Sequence, residues 1–143
     1  MSYDFPGSST PVLDGSVLGS LRDELEGDER MWHEFIRDYL RLLPSRVERL
    51  RQSLTAGDVD GAMDALLSLR TSSQMAGAGR LAGLVRQLGH CMQDHADTAK
   101  PLDVLPPLAA AYLPQIRQCA QLTTLELTAY LQRGQTENAK PLI

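Results

Sequence analysis

The sequence predicts an all-α protein, an antiparallel up-and-down four-helix bundle with a short extra helix at its N-terminal side. Three observations carry that expectation. Apolar residues recur at three- and four-residue spacing over most of the 143 residues, as helices with one buried face require. No convincing period-two run of the kind that marks a half-buried strand interrupts them. Short segments rich in glycine, aspartate or proline divide the periodic stretches, so successive helices are closely linked and pack most simply side by side in alternating directions.

The elements follow in order. Asp14 is suited to cap a first short helix carrying Val17, Leu18, Leu21 and Leu25 and stopping near Gly27. Asp28 caps a second helix of about seven turns, with Trp32, Phe35, Ile36, Tyr39, Leu43, Val47, Leu50 and Leu54 on one stripe and Arg37, Arg41, Glu48 and Arg49 opposite. Pro44 falls inside it and removes one backbone hydrogen bond; because the stripe continues on both sides, a bend is expected rather than a break.

A third helix is expected from about Asp58 to Met75, with Val59, Ala62, Leu66, Leu69, Ser73 and Ala76 facing inward and Gly77 and Gly79 ending it. A fourth, from about Arg80 to Ala96, places Leu81, Leu84, Val85, Leu88, Cys91 and Met92 on one side. Pro101, Pro106 and Pro107 then mark a connection into the last helix, Pro107 suiting a first turn. Pro114 is a further candidate kink, after which Ile116, Cys119, Ala120, Leu122, Thr123, Leu127, Tyr130 and Leu131 keep an apolar face. Residues 1–13 and 133–143 are polar and aperiodic, so the bundle is assigned to 14–132 and flexible or draped ends to the rest.

Composition narrows the function. A chain of this length, 43% hydrophobic, buries one apolar core without disulfides or a structural metal. A net charge of −4 argues against a general grip on nucleic acid phosphates or an anionic membrane surface, which leaves proteins as the expected partners. The first residues lack both the basic start and the apolar run of a secretory signal, and no window approaches the roughly 18 apolar residues of a membrane helix. The chain therefore reads as cytoplasmic. Cys91 and Cys119 form neither a CxxC pair nor half of a zinc quartet and read as buried thiols.

The region around position 67 carries the most specific signal. Ala65-Leu66-Leu67-Ser68-Leu69-Arg70-Thr71-Ser72-Ser73 and the following Gln74-Met75-Ala76-Gly77-Ala78 resemble the signature helix of histidine-containing phosphotransfer (HPt) domains, which has the form Ala-His-x-Leu-Lys-Gly-Ser-Ser-x-x-x-Gly-Ala. The likeness extends without insertion or deletion over roughly residues 12 to 92. It includes Val12-Leu13-Asp14, Gly27-Asp28, Tyr39-Leu40, Pro44, Val47, Leu50, Leu54, Gly57-Asp58, Leu81, Leu84 and Leu88. This resemblance implies the same bundle and a place in two-component signalling.

Three departures sit at the reactive position of that pattern. Leu67 stands under the phosphoaccepting histidine, Arg70 under the usual lysine and Thr71 under a glycine. A leucine side chain has no lone pair with which to accept a phosphoryl group. The arginine keeps a positive charge one turn along, and the threonine adds bulk where glycine lets a receiver's loops come close. The resemblance thus implies a degenerate, non-catalytic member that binds a receiver domain or a histidine kinase without relaying phosphate, with no cofactor and no metal. Met63, Leu67, Arg70, Thr71 and Gln74 form the expected contact face if Leu67 is exposed; if instead it tucks into the core margin beside Leu66, that face is lost.

Two other readings stay open. A working phosphotransfer protein would have to use His33, His90 or His95, none of which has the flanking pattern of the site. A structural bundle, dimeric through its last helix, would share only bundle physics with the family. A zinc site from His90 and His95 is disfavoured, because a five-residue separation turns them about 140° apart on a helix. No glycine-rich phosphate loop, no nucleophile elbow and no carboxylate pair held in an apolar stretch is present. Arg41, Arg46, Arg49 and Arg51 make a basic stretch on the second helix that reads as a solvated face or as a docking surface for an acidic protein or RNA.

Overall fold

A computed structural model describes residues 10–24, 29–95 and 100–138. Its helices in chain order are α1 (Gly15–Glu24), α2 (Glu29–Thr55), α3 (Val59–Met75), α4 (Gly79–Asp94) and α5 (Pro101–Asn138). No strand occurs among the described residues. α2 packs on α3 and α5, α4 packs on the same two helices, and α1 lies against α2 and α3. Four long helices therefore close around one core, with the short helix added at the end where α3 turns into α4.

The core is the set of stripes read from the sequence. Ile36, Leu43, Leu50 and Leu54 of α2, Leu69 of α3, Leu81 and Leu88 of α4, and Ile116 and Leu127 of α5 are fully buried. Each contributes about 1.5–3 kcal/mol relative to exposure, so the ring of leucines dominates the stability of the bundle. Trp32 packs edge-on against Tyr130 at 5.2 Å between ring centroids, joining the start of α2 to the end of α5.

Local chemistry sets the turns. The Asp14 carboxylate accepts from the backbone N–H of Ser16 (3.0 Å) and from its hydroxyl (2.6 Å), capping α1 as expected. The Ser16 hydroxyl first, and the backbone N–H groups of Val17 and Ser16 after it, hold the Asp14 carboxyl below the usual carboxylate range. α2 and α3 close in the same way. Gly57 (φ 68°) and Gly77 (φ 74°) adopt the left-handed conformation. The following amides, of Asp58 and Ala78, reach back to the carbonyls of Ser53 (2.9 Å) and Ser73 (2.8 Å). The Asp58 carboxylate accepts from the N–H of Gly61 and caps α3.

α2 runs unbroken through Pro44, as its continuous stripe implies, and the exposed ring leaves Leu43 and Val47 in the core. Several other expectations need correction. Val59, expected inward, is 39% exposed because it opens α3 at the end of the bundle. Gly79 starts α4 rather than ending α3. The last helix begins at Pro101, so Pro106 and Pro107 lie inside it. The carbonyls deprived of a partner there belong to Leu102 and Asp103, both exposed and within reach of water. Leu122 is exposed, and Thr123 takes the inward position beside it.

Of the two arrangements expected for the ends, the described residues 10–13 take the draped one. Val12 is buried, the Asp14 amide donates to the Gly77 carbonyl (2.7 Å), and Arg80 donates to the carbonyl of Thr10 (2.7 Å), so residues 10–13 are held against the bundle. α5 continues from position 133 as far as Asn138. Leu25, Gly27, the Asp28 cap and Ala96 lie outside the described residues.

Candidate functional site

α3 separates structure from surface by its two faces. Ala62, Ala65, Leu66, Leu69 and Ser73 point inward. The Tyr39 hydroxyl and Ser73 Oγ are 2.8 Å apart inside the core, so two residues that carry the family pattern, far apart in the chain, meet as a buried pair. Burial pushes the Tyr39 phenol up to about 12, against a smaller opposing effect of the Ser73 bond. Ser72, the other serine of the pattern, turns its hydroxyl back onto the Ser68 carbonyl (2.8 Å) and helps occupy the helix's own backbone.

The outward face carries the departures. Leu67 is 63% exposed, whereas Leu66 beside it is 4% exposed. Met63 is 36% exposed, and Arg70, Thr71 and Gln74 are also exposed. The alternative placement of Leu67 in the core margin is therefore excluded.

Met63, Leu67 and Arg70 border a groove of about 110 Å³ between α3 and α4. Gln74 borders a neighbouring pocket of about 240 Å³ with Asp14 and Gly77. Arg86 lines both and joins them. Thr71 lies on the same helix but lines neither.

The structure adds residues that the motif does not point to. Arg86, Gly89, His90 and Gln93 of α4 form the far wall of the groove opposite Leu67. A signal for them exists in the sequence: α3 and α4 form a tight hairpin about Ala78, so residues equidistant from that point face each other. Arg70 and Arg86 are such a pair, as are Met63 and Gln93, and His90 comes within one residue of matching Leu67. The histidine therefore reaches the site from the neighbouring helix.

His33 is half-buried with its ring 4.9 Å from Trp32, far along the chain from this groove. His95, expected on the inward side, is exposed at the C-cap of α4 and borders another cavity with Met63 and Met92. Among the described residues no group of three or more His, Cys, Asp or Glu side chains is placed to hold a metal ion. Cys119 is buried, which raises its thiol, and Cys91 lies 3.1 Å from the Tyr112 hydroxyl.

The charges of the groove differ from those of α2. Along α2, Arg41 faces Asp38 at 3.5 Å, and Arg51 and Arg117 both approach Glu48, so that basic stretch is partly neutralised. The groove is lined by Arg70, Arg86 and His90 with no carboxylate. A locally cationic wall thus sits on a chain whose net charge is −4.

A bundle of four helices whose third turns Leu67, Arg70 and Thr71 to solvent has the architecture of a helical phosphotransfer domain. A family model described as Hpt domain matches residues 34–133, which is 100 of the 143 residues, and the chain belongs to that family. The match begins within α2 and includes most of α5, beyond the residues that carried the motif resemblance. No curated protein and no solved structure matches the chain. Hpt domains carry phosphoryl groups between receiver domains and histidine kinases, which places this protein in phosphorelay signalling. Among the described residues no helix is long and apolar enough to cross a membrane.

Proposed function

We propose that this chain is an Hpt-family protein that docks a receiver domain or a histidine kinase without accepting phosphate, using Met63, Leu67, Arg70, Thr71 and Gln74. The exposure of Leu67 carries this reading. An apolar side chain, 63% exposed on the outward face of the signature helix, contributes to a protein contact but offers no nucleophile. Covering its exposed part is worth about 1–2 kcal/mol, a factor of about ten in affinity. Such a protein sequesters a regulator or blocks the route from kinase to regulator.

The test is capture of purified receiver and kinase domains by the full chain and by Leu67→Glu. Capture is expected to fall at least about tenfold for the variant with helicity unchanged. Equal capture by both proteins overturns the assignment of this face.

A second reading has one observation in its favour. His90 borders the same groove as Leu67, so an imidazole is present at the site although it comes from α4. Incubation with a phosphorylated receiver, followed by a search for acid-labile phosphohistidine in the parent and in His90→Gln, decides between the two. Phosphate on the parent that disappears in the variant makes the chain a carrier through His90.

A further inference from the structure

We infer that the groove between α3 and α4 reads the phosphorylation state of its partner: Arg70, Arg86 and His90 receive the phosphoryl group of a phosphorylated receiver domain, which stays on the receiver. This rests on the reading that the Leu67 face docks a receiver.

Charge is the first support. Two guanidinium groups and an imidazole line one small groove from two helices, and no carboxylate lines it. Neither Arg70 nor Arg86 has a carboxylate within 4.0 Å among the described residues, in contrast to Arg41, Arg51 and Arg117. An incoming anion therefore meets two guanidinium groups and no lining carboxylate, a local field complementary to its charge. A phosphoryl group brings up to about two negative charges and three acceptor oxygens, and the planar guanidinium matches such oxygens two at a time.

Size is the second support. At about 110 Å³ the groove is well below the roughly 300–1,000 Å³ of sites for whole small molecules, and it suits the end of one side chain. Gly89 keeps its floor open. A Cβ added there would meet only Leu66 Cδ1, at 3.9 Å, so nothing but the missing side chain leaves room for an approaching group. Leu67 stands at the rim where it caps the contact with apolar surface and excludes water, which strengthens the charge-assisted bonds beside it. No bond to phosphorus forms or breaks: the phosphoryl group stays on the receiver's aspartate and is held in the groove by charge-assisted hydrogen bonds alone.

Isothermal titration of the full chain against the receiver domains of its own genome, each with and without beryllofluoride as the stable aspartyl-phosphate mimic, tests the inference. At least one receiver is expected to bind about tenfold or more tightly when activated. Arg86→Gln and Arg70→Gln should each reduce that activated-to-unactivated ratio by about threefold or more; both side chains are exposed, and circular dichroism checks that the variants fold. A receiver that binds equally in both states overturns the inference while leaving the docking reading intact. Binding of no receiver in either state overturns the inference together with the receiver half of the docking reading, and leaves docking to a histidine kinase as its remaining form. Transfer of phosphate to His90 overturns the inference by making the groove an acceptor.

Discussion

Leu66 and Leu67 are consecutive and chemically identical, and the structure assigns them opposite roles, so truncating each to alanine measures the face directly. Leu66 is 4% exposed and packs among core residues. Leu66→Ala loses its transfer free energy and leaves a cavity, a cost of about 2–5 kcal/mol. Leu67 has only about a third of its surface covered, so Leu67→Ala loses roughly a third of the 1.5–3 kcal/mol of a full burial, about 0.5–1 kcal/mol, with no cavity. The higher helix propensity of alanine reduces that further. Urea unfolding followed by circular dichroism at unchanged m-value should separate the two by at least about 1 kcal/mol. In thermal unfolding the gap should be several degrees, at roughly 3 °C per kcal/mol for a chain of this size. Two variants that unfold at the same denaturant concentration would refute the outward placement of Leu67, and with it every contact assigned to that residue.

Three other outcomes follow from buried and strained positions. Tyr39 has its phenol pushed up to about 12 from an ordinary value of 10. The unfolded chain ionises first on the way up, so stability should hold below about pH 10 and fall by up to roughly 3 kcal/mol between pH 10 and 12. Tyr39→Phe should abolish that fall in alkaline unfolding curves, while costing about 1–3 kcal/mol at neutral pH by leaving Ser73 Oγ unpaired. Gly77→Ala should destabilise by about 1–3 kcal/mol in chemical unfolding, because φ is 74° and the new Cβ would come within 2.9 Å of Leu18 Cγ. Gly89→Ala, where the backbone is helical and the added methyl has room, should instead stabilise by about 0.5–1 kcal/mol, and a loss there would show that the groove is tighter than its walls indicate.

What the sequence carried well was anything with a period. The stripe from Trp32 to Leu54 predicts a helix because the same spacing buries those residues against α3 and α5, and the caps at Asp14 and Asp58 follow from donors that any helix start leaves open. The prolines misled for a physical reason. Pro101, Pro106 and Pro107 read as a connection because proline removes a donor, yet its fixed φ is helical, and near an exposed helix start the forfeited bonds pass to water. The site was half legible. Leu67, Arg70 and Thr71 are visible as a cluster of departures on one helix, but Arg86 and His90 belong to no local pattern and join them only when the turn at Gly77 folds α4 back along α3.

That division shows why position 67 can vary without disturbing the bundle. The inward side of α3 is occupied with holding the bundle: Leu66 and Leu69 fill the core, Ser73 pairs with Tyr39, and the Ser73 carbonyl receives the amide of Ala78 at the turn. None of these contacts passes through position 67. A position with most of its surface in water accepts imidazole or leucine at a stability difference within about 0.5 kcal/mol, whereas an imidazole one residue earlier would strand a polar ring in the core. In the function proposed above, docking without phosphotransfer therefore needs no change in the core. The outward face of α3 is free to change its chemistry while the inward face keeps the helix where the core requires it.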